Sequence, residues 1–252
     1  MKYTVTTATE QPNQLEITDP YTAVAWPQFM HHDSIANKYW AKLYTCFSDY
    51  QFTFTNPDNN EIVAIANSIP FQYDKPLEQF PHTGWDFLFE KGMNDFQAGS
   101  SPNILSALSI VITENYQGKG ISKLVLQEMR KIALRKNHTE FVAPVRPNMK
   151  SLYPITPIEE YIHWKNQESK LFDSWLRVHE SIGGKIIKVC HEAMKIPGTI
   201  AEWESWANMK FPVSGKYTVP GALVPISIDI EKNKGLYIEP NVLVQHNLNA
   251  KI

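Results

Sequence analysis

The alternation of apolar and polar residues is most regular between residues 104 and 136. Residues 104–113 are apolar or small on both faces, which is typical of a central strand covered on both sides. After a turn that contains two glycines, apolar residues recur at helical spacing, and lysine, arginine and glutamine occupy the opposite face. The apolar face comprises Ile121, Val125, Leu126, Met129, Ile132 and Ala133. The pattern predicts a buried strand, a short turn and an amphipathic helix.

Shorter patterns predict the elements on either side of this unit. Residues 140–145 favour a second strand, parallel to the first because one helix connects the two. Apolar runs flanking turn-rich segments predict antiparallel hairpins in residues 51–71 and 222–245, and a strand is expected at residues 185–189. Helical spacing predicts helices in residues 26–47, 85–96, 174–184 and 199–209. Residues 1–21 alternate weakly and contain prolines, so we expect a short strand or an extended arm there.

These elements predict a mixed α/β (α+β) fold, with a mostly antiparallel central sheet, one parallel strand pair and flanking helices. No linker, repeat or break in composition divides the 252 residues. We therefore expect a single domain over residues 1–252, with an N-terminal helical segment and a C-terminal extension.

The turn after the first strand is a candidate anion site. A strand that leads through glycines into a helix presents unpaired backbone N–H groups, and the helix dipole adds to their attraction for negative charge. A Walker loop does not fit, because the frame around Gly118 and Gly120 lacks its spacing. A Rossmann fingerprint does not fit either, because Lys123 stands where the third glycine belongs.

The turn does fit the signature Gln/Arg-x-x-Gly-x-Gly/Ala, and with its strand and helix it resembles the acyl-CoA-binding motif of the GCN5-related N-acetyltransferases. The matching residues are Gln117, Gly118, Lys119, Gly120, Ile121 and Ser122. Ser122 replaces the final glycine or alanine, a change between small residues. The resemblance implies that the two parallel strands splay apart, and that backbone groups of Ile110, Val111 and Ile112 line the cofactor cleft and polarise the acetyl carbonyl.

A second stretch resembles the same family. His179 stands where family members commonly carry a tyrosine, four residues before Gly183 at the end of a helix. The family tyrosine protonates the departing CoA thiolate, so the resemblance makes His179 the candidate acid. A purely structural histidine fits equally well, and Tyr161 or Tyr153 is an alternative acid.

Two carboxylates are candidates for the base that accepts the proton of the attacking amine. Glu114 lies at the end of the motif strand and is the first choice, and Asp86 is the reserve. Trp85 and Asp86, at the start of a helix, are expected to shape the acceptor pocket. Arg146 follows the second parallel strand and can hold a carboxylate or phosphate. Each of these residues also has an ordinary structural explanation.

The expected reaction is direct transfer of an acetyl group from acetyl-CoA to an amine of a small molecule. Two alternatives remain open. One is a non-catalytic acyl-CoA-binding sensor or interaction module, since the family tyrosine is missing. The other is an acyltransferase that uses a different acyl-CoA or acts on a protein lysine.

Composition narrows the expected partners. The net charge is −2, from 24 basic and 26 acidic residues, which does not favour binding to nucleic acid or to an acidic membrane surface. Adjacent His31 and His32 diverge on a helix, and the two cysteines, Cys46 and Cys190, are far apart, so no metal is expected. The chain shows neither a signal peptide nor a membrane-spanning run, and we expect a cytoplasmic protein. A homodimer is left open.

Overall fold

The computed structural model describes residues 3–248, which form one nine-stranded sheet with helices packed on both faces. The strands are β1 (Thr4–Thr7), β2 (Gln51–Thr55), β3 (Ile62–Phe71), β4 (Ile104–Ile112), β5 (Glu140–Val145), β6 (Gly184–Gly198), β7 (Gly215–Tyr217), β8 (Ile226–Asp229) and β9 (Lys234–His246). The α-helices are α1 (Gln14–Ala25), α2 (Ser34–Cys46), α3 (Gly84–Ala98), α4 (Ile121–Arg135), α5 (Ile158–Tyr161), α6 (Ser174–Ser181) and α7 (Ile200–Ala207).

The helices begin where side chains can satisfy their free N–H groups. The Asp33 carboxylate accepts from the N–H of Ala36 at the start of α2, and Asp173 caps α6 in the same way. Thr199 and Glu202 form a reciprocal capping box at the start of α7. These three N-caps satisfy N–H groups that the first turns of α2, α6 and α7 leave without partners inside the helix.

The strands follow the order β1-β2-β3-β4-β5-β9-β8-β7, and β6 pairs with the other edge of β9. Among the pairings between described residues, only β4 with β5 is parallel. This arrangement confirms the predicted mixed, mostly antiparallel sheet with one parallel pair. Both predicted hairpins are present, and the second one brings β9 into the sheet directly beside β5.

Two hydrophobic cores lie on the two faces of the sheet. One packs α2, α3 and α7 against the sheet, and the other packs α4 and α6 against it. Leu88 and Trp203 in the first core and Val125 and Leu176 in the second are at most 1% exposed. Burying each such side chain stabilises the fold by about 1.5–3 kcal/mol. β4 contributes to both cores, as expected for a strand with apolar residues on both faces.

The parallel pair separates after three residues, and this separation opens the central cleft. β4 and β5 pair from Ile104 to Ser106 only. Leu108 then forms a β-bulge, because Ala107 and Ser109 pair with adjacent residues of β3 and Leu108 has no counterpart. A bulge bends its strand, and here it turns β4 away from β5. The indole N–H of Trp85 donates to the carbonyl oxygen of Leu108 at 3.0 Å, so a buried acceptor at the bulge is satisfied.

Two regions contain more regular structure than the sequence predicted. The short strand expected in residues 1–21 is β1, but the helix α1 that follows it was not predicted; α1 begins at Gln14 and contains Pro20 in its interior. The strand expected at residues 185–189 is β6, which extends to Gly198 because it pairs along most of β9 with two irregularities. The single-domain prediction stays a prediction, and its first two and last four residues lie outside the described range.

Candidate active site

A cavity of about 730 Å³ occupies the cleft between the splayed strands, and we call it the central cavity. Its walls are the strand ends of β4 and β5 beyond their pairing, residues 107–110 and 143–146. Helix α1, the start of α2 and helix α6 close the other sides. Four tryptophans, Trp26, Trp40, Trp85 and Trp175, border it. A space of this size, formed at splayed strand ends, is typical of a ligand site.

Residues 117–122 form the turn between β4 and α4, which we call the phosphate cradle. Gly118 and Gly120 have φ angles of 71° and 74°, a conformation that strains other residues, and nothing lies within 4 Å of a Cβ built on either glycine. No side chain caps the N-terminus of α4, and residues 117–120 are exposed. The cradle therefore offers free backbone N–H groups at a helix start, which suits a pyrophosphate.

The cradle is held to the end of β4. The Gln117 side-chain amide donates to the carbonyl oxygen of Ile112 at 3.1 Å, and the Lys119 ammonium lies 5.2 Å from the centre of the Tyr116 ring. Ile110 borders the central cavity, whereas Val111 and Ile112 pair with β3 further along β4. β4 thus runs from the cavity wall to the cradle.

Arg146 borders the cavity, but its guanidinium is already engaged. Its Nε donates to both carboxylate oxygens of Glu239, at 2.9 and 3.1 Å, and Nη2 donates to the carbonyl oxygen of Gly221. Glu239 is fully buried and also accepts from the hydroxyl of Tyr237 at 2.9 Å. Because Nε and Nη2 are already engaged, this edge of the Arg146 guanidinium is not available for the two-pronged grip on an acceptor expected from the sequence.

Trp85 and Asp86 lie at the start of α3 as predicted, but only Trp85 borders the cavity. The carboxyl group of Asp86 is buried beside that of Asp33. Neither Asp33 Oδ2 nor Asp86 Oδ1 has a hydrogen-bond partner outside this pair. Burial and the neighbouring Asp33 raise the pKa of Asp86 to about 8, and burial raises the pKa of Asp33 as well. The two carboxyls therefore share one proton at neutral pH.

His179 is the candidate acid that the structure does bring to the cavity. It is 4% exposed, borders the cavity and bonds through Nδ1 to Nε2 of His246, at 2.8 Å. Burial lowers the pKa of His179 well below its usual range, so the ring is uncharged at neutral pH. At the cavity the neutral His179 ring can donate or accept a hydrogen bond, but it does not carry a second ring proton.

The other candidate acids and the first-choice base lie elsewhere. Glu114 is exposed on the 3₁₀ turn after β4 and does not border the cavity. The Tyr161 hydroxyl donates to the Asp173 carboxylate at 2.8 Å, and Tyr153 packs in the same aromatic group, away from the cavity. The geometry therefore does not bring Glu114, Tyr161 or Tyr153 to the acyl group.

Several residues at the cavity were not identified from the sequence. Glu239 and Asn241 stand two residues apart in the apolar strand β9, and this spacing of buried polar residues was the available signal. Ser109 borders the cavity with a buried hydroxyl that has no hydrogen-bond partner. Glu16 and Asp19 border it from α1, the helix that the sequence analysis missed.

Within residues 3–248, no three or more histidine, cysteine, aspartate or glutamate side chains cluster in a way that could hold a metal ion. Over the same residues, no helix has the length and apolar character needed to cross a bilayer.

The comparisons with known proteins agree on one superfamily. An arginine N-acetyltransferase, avaD of Aspergillus versicolor, is 31% identical over 276 residues, which cover 98% of this chain and 94% of that protein. The crystal structure of the loading GNATL domain of CurA from Lyngbya majuscula has a TM-score of 0.60 at 16% identity, with 99% of both chains covered. The GNAT-like decarboxylase GphF, solved with isobutyryl-CoA, has a TM-score of 0.52 at 12% identity, covering 99% of this chain and 100% of that one.

No protein-family model matches the chain. At their low identities the two solved structures establish the fold alone, and the fungal relative, which aligns along nearly the whole chain, establishes the family. The chain therefore belongs to the GCN5-related N-acetyltransferase superfamily, and it is an enzyme that transfers an acetyl group from acetyl-CoA to an amine of a small molecule.

Proposed function

We propose that this enzyme acetylates arginine or a closely similar amine that carries a second positive charge. The carboxylates of Glu16 and Asp19 at the cavity carry this proposal, because Arg146 and Glu239 neutralise each other and leave these two as the unpaired acidic groups of the wall. Trp26, Trp40 and Trp175 offer ring faces on which a planar guanidinium can stack. The named activity of the fungal relative supports the same acceptor class.

The proposed donor site is continuous with the acceptor site. The pyrophosphate of acetyl-CoA lies on the phosphate cradle, and the pantetheine arm follows the free edge of β4 to the central cavity. This arrangement brings the thioester between the splayed strands, beside Ile110. The cradle accommodates the group because the space in front of Gly118 and Gly120 is open.

In the proposed reaction the uncharged amine attacks the thioester directly. Its nitrogen forms a bond to the carbonyl carbon, the carbon–sulfur bond breaks with its electrons moving to sulfur, and the amine releases a proton while the thiolate of CoA gains one. His179 is the buried side chain placed to interact with the sulfur or carbonyl oxygen. Neither Glu114 nor Asp86 borders the cavity, so water takes the amine proton in this reaction.

The experiment is a comparison of acceptors with purified protein and acetyl-CoA. Arginine, agmatine, lysine and citrulline are supplied in turn, and release of free CoA and the mass of the product are measured. We expect turnover with arginine and agmatine and at least tenfold lower kcat/KM with citrulline, whose side chain has nearly the shape of arginine but no charge. Equal turnover with citrulline and arginine contradicts the proposed selectivity. Succinyl- and longer acyl-CoA donors in the same assay test the acetyl preference.

The cytoplasmic location and the homodimer remain predictions of the sequence. Size-exclusion chromatography with light scattering measures the oligomeric state, and fractionation of the source cells measures the location.

A further inference from the structure

The bond between His179 and His246 joins α6 at the central cavity to the C-terminal end of β9. His246 is fully buried and its ring stacks on Phe141, with ring centres 5.0 Å apart. The backbone beside the pair is closely packed, since a Cβ on Gly184 would lie 2.6 Å from the carbonyl oxygen of His179 and 2.9 Å from Cε1 of His246. Close packing therefore restricts both rings beside the 2.8 Å bond that joins them.

Neither ring is charged near neutral pH. Burial lowers the pKa of His246 to about 4, with the positive charge of Arg130 on α4 adding to the effect. Burial and the neighbouring His246 lower the pKa of His179. Besides Arg130, the titratable residues His163, Glu180 and Lys185 line a pocket of about 230 Å³ that His179 also borders. A neutral imidazole carries one N–H proton, so either His179 or His246 is the donor in the bond between them.

In the first arrangement His179 donates from Nδ1, and His246 must then carry its own proton on Nδ1. That nitrogen of His246 is buried and has no hydrogen-bond partner, so the arrangement buries an unpaired N–H. In the second arrangement His246 donates from Nε2 and leaves only a lone pair at its buried Nδ1. Unpaired buried donors are rarer and costlier than unpaired acceptors, so the second arrangement is favoured.

We propose that His246 holds His179 in the neutral form that carries its proton on Nε2, so that His179 serves acetyl transfer as a fixed hydrogen-bond donor and not as a proton acceptor. Nδ1 of His179 is occupied by His246, so Nε2 is the nitrogen left for the thioester. His179 keeps this proton throughout the reaction, and water supplies the proton that the thiolate gains. A neutral imidazole used as an electrophile is an established way to stabilise developing negative charge. His246 is a positioning residue, and its catalytic role rests on the acetyl transfer proposed above.

The direct test is the protonation state of His179, read from ¹⁵N chemical shifts of histidine-labelled protein. Spectra of the His179→Gln and His246→Gln variants assign the two rings. We expect His179 to carry hydrogen on Nε2, to have a bare Nδ1 and to remain unchanged between pH 5.5 and 8.5. A proton on Nδ1 of His179, or titration within that range, overturns the proposal. This readout does not depend on the acceptor, so failure of the arginine assay would leave it intact.

Two variants test whether the bond matters to the reaction. His246→Phe retains a ring beside Phe141 but donates nothing, and we expect kcat to fall about tenfold while the KM for acetyl-CoA changes less than twofold. His246→Gln can still donate to Nδ1 and should recover most of the loss. The control is His138→Gln, a buried histidine outside the cavity, for which kcat should not change. Unchanged kcat in His246→Phe contradicts the positioning role, and the ¹⁵N measurement decides the tautomer even where a variant does not fold.

Discussion

The phosphate cradle and the central cavity are built in opposite ways. The cradle consists of six consecutive residues whose function depends on backbone conformation, with two glycines in the left-handed region and an uncapped helix start. The cavity depends on side chains from α1, α2, α3, α6, β4, β5 and β9, which meet only in the folded protein. The donor site is thus encoded locally, whereas the acceptor site is encoded by tertiary contacts. This difference predicts that the two sites respond differently to substitution.

The largest effect is expected in the cradle, from Gly120→Glu. The side chain would force a residue with a Cβ into a φ of 74° and place a negative charge where the pyrophosphate binds. We expect affinity for CoA to fall roughly 100-fold, measured by calorimetry.

Gly99→Glu is the matched control for the cradle variant. Gly99 has a φ of 67° and open space in front of a Cβ, but it ends α3 and lies outside both the cradle and the cavity. The same backbone strain there should leave affinity for CoA unchanged. Equal affinity of the Gly120 variant and the wild type would show that the cradle does not hold the phosphates.

A smaller effect is expected at the cavity wall, from Trp85→Phe. The substitution removes the N–H that satisfies the Leu108 carbonyl oxygen at the bulge, which costs about 1–3 kcal/mol of stability. Because the bulge shapes the cleft, we expect kcat/KM to fall about tenfold, with affinity for CoA nearly unchanged. Chemical denaturation and steady-state kinetics measure the two effects.

Trp203→Phe separates loss of the hydrogen bond from loss of ring volume. Trp203 is fully buried outside the cavity, and its indole nitrogen has no hydrogen-bond partner. That variant should lose stability through packing yet retain kcat/KM. If the two variants lose activity equally, the Trp85 bond to the bulge does not shape the cleft.

The same contrast between local and tertiary encoding explains what the sequence could predict. The motif strand, the cradle and α4 were predicted because periodicity and glycine spacing are local properties. Helix α1 was missed because Pro20 lies inside it, and proline ordinarily ends a helix. That helix carries Glu16 and Asp19, so the sequence prediction lacked the two acidic residues that indicate the acceptor in the proposed function.

The surroundings of Asp86 were not visible in the sequence for a related physical reason. Its position at the start of α3 was predicted, but sequence does not show which carboxyl groups become neighbours after folding. Asp33, the N-cap of α2 and 53 residues earlier in the chain, lies beside it and shares its proton. Asp86 therefore belongs to a buried carboxyl pair whose two members the sequence places far apart.

Asp86→Asn tests this pair through the pH dependence of stability. Because folding raises the pKa of Asp86 from 3.8 to about 8, the folded state holds a proton that the unfolded chain releases above about pH 4. The contribution of Asp86 to stability is therefore complete below that pH and is lost as pH rises towards 8. Asparagine can donate to Asp33 at every pH, so the variant should lose less stability between pH 5 and 8 while retaining kcat. Equal pH slopes, from denaturation at several pH values, would contradict the shared proton.

The smallest effect is expected from the two exposed carboxylates of α1. In the double variant Glu16→Gln, Asp19→Asn, the KM for arginine should rise about threefold to tenfold at low salt, because exposed ion pairs contribute little individually. The increase should largely disappear at 0.5 M salt, where screening removes the attraction to the acceptor. Turnover of citrulline and affinity for CoA should not change. Asp58→Asn, Glu231→Gln is the matched control, since both residues are exposed in hairpin turns outside the cavity. If the control raises the KM equally, overall charge attracts the acceptor, and α1 does not select it.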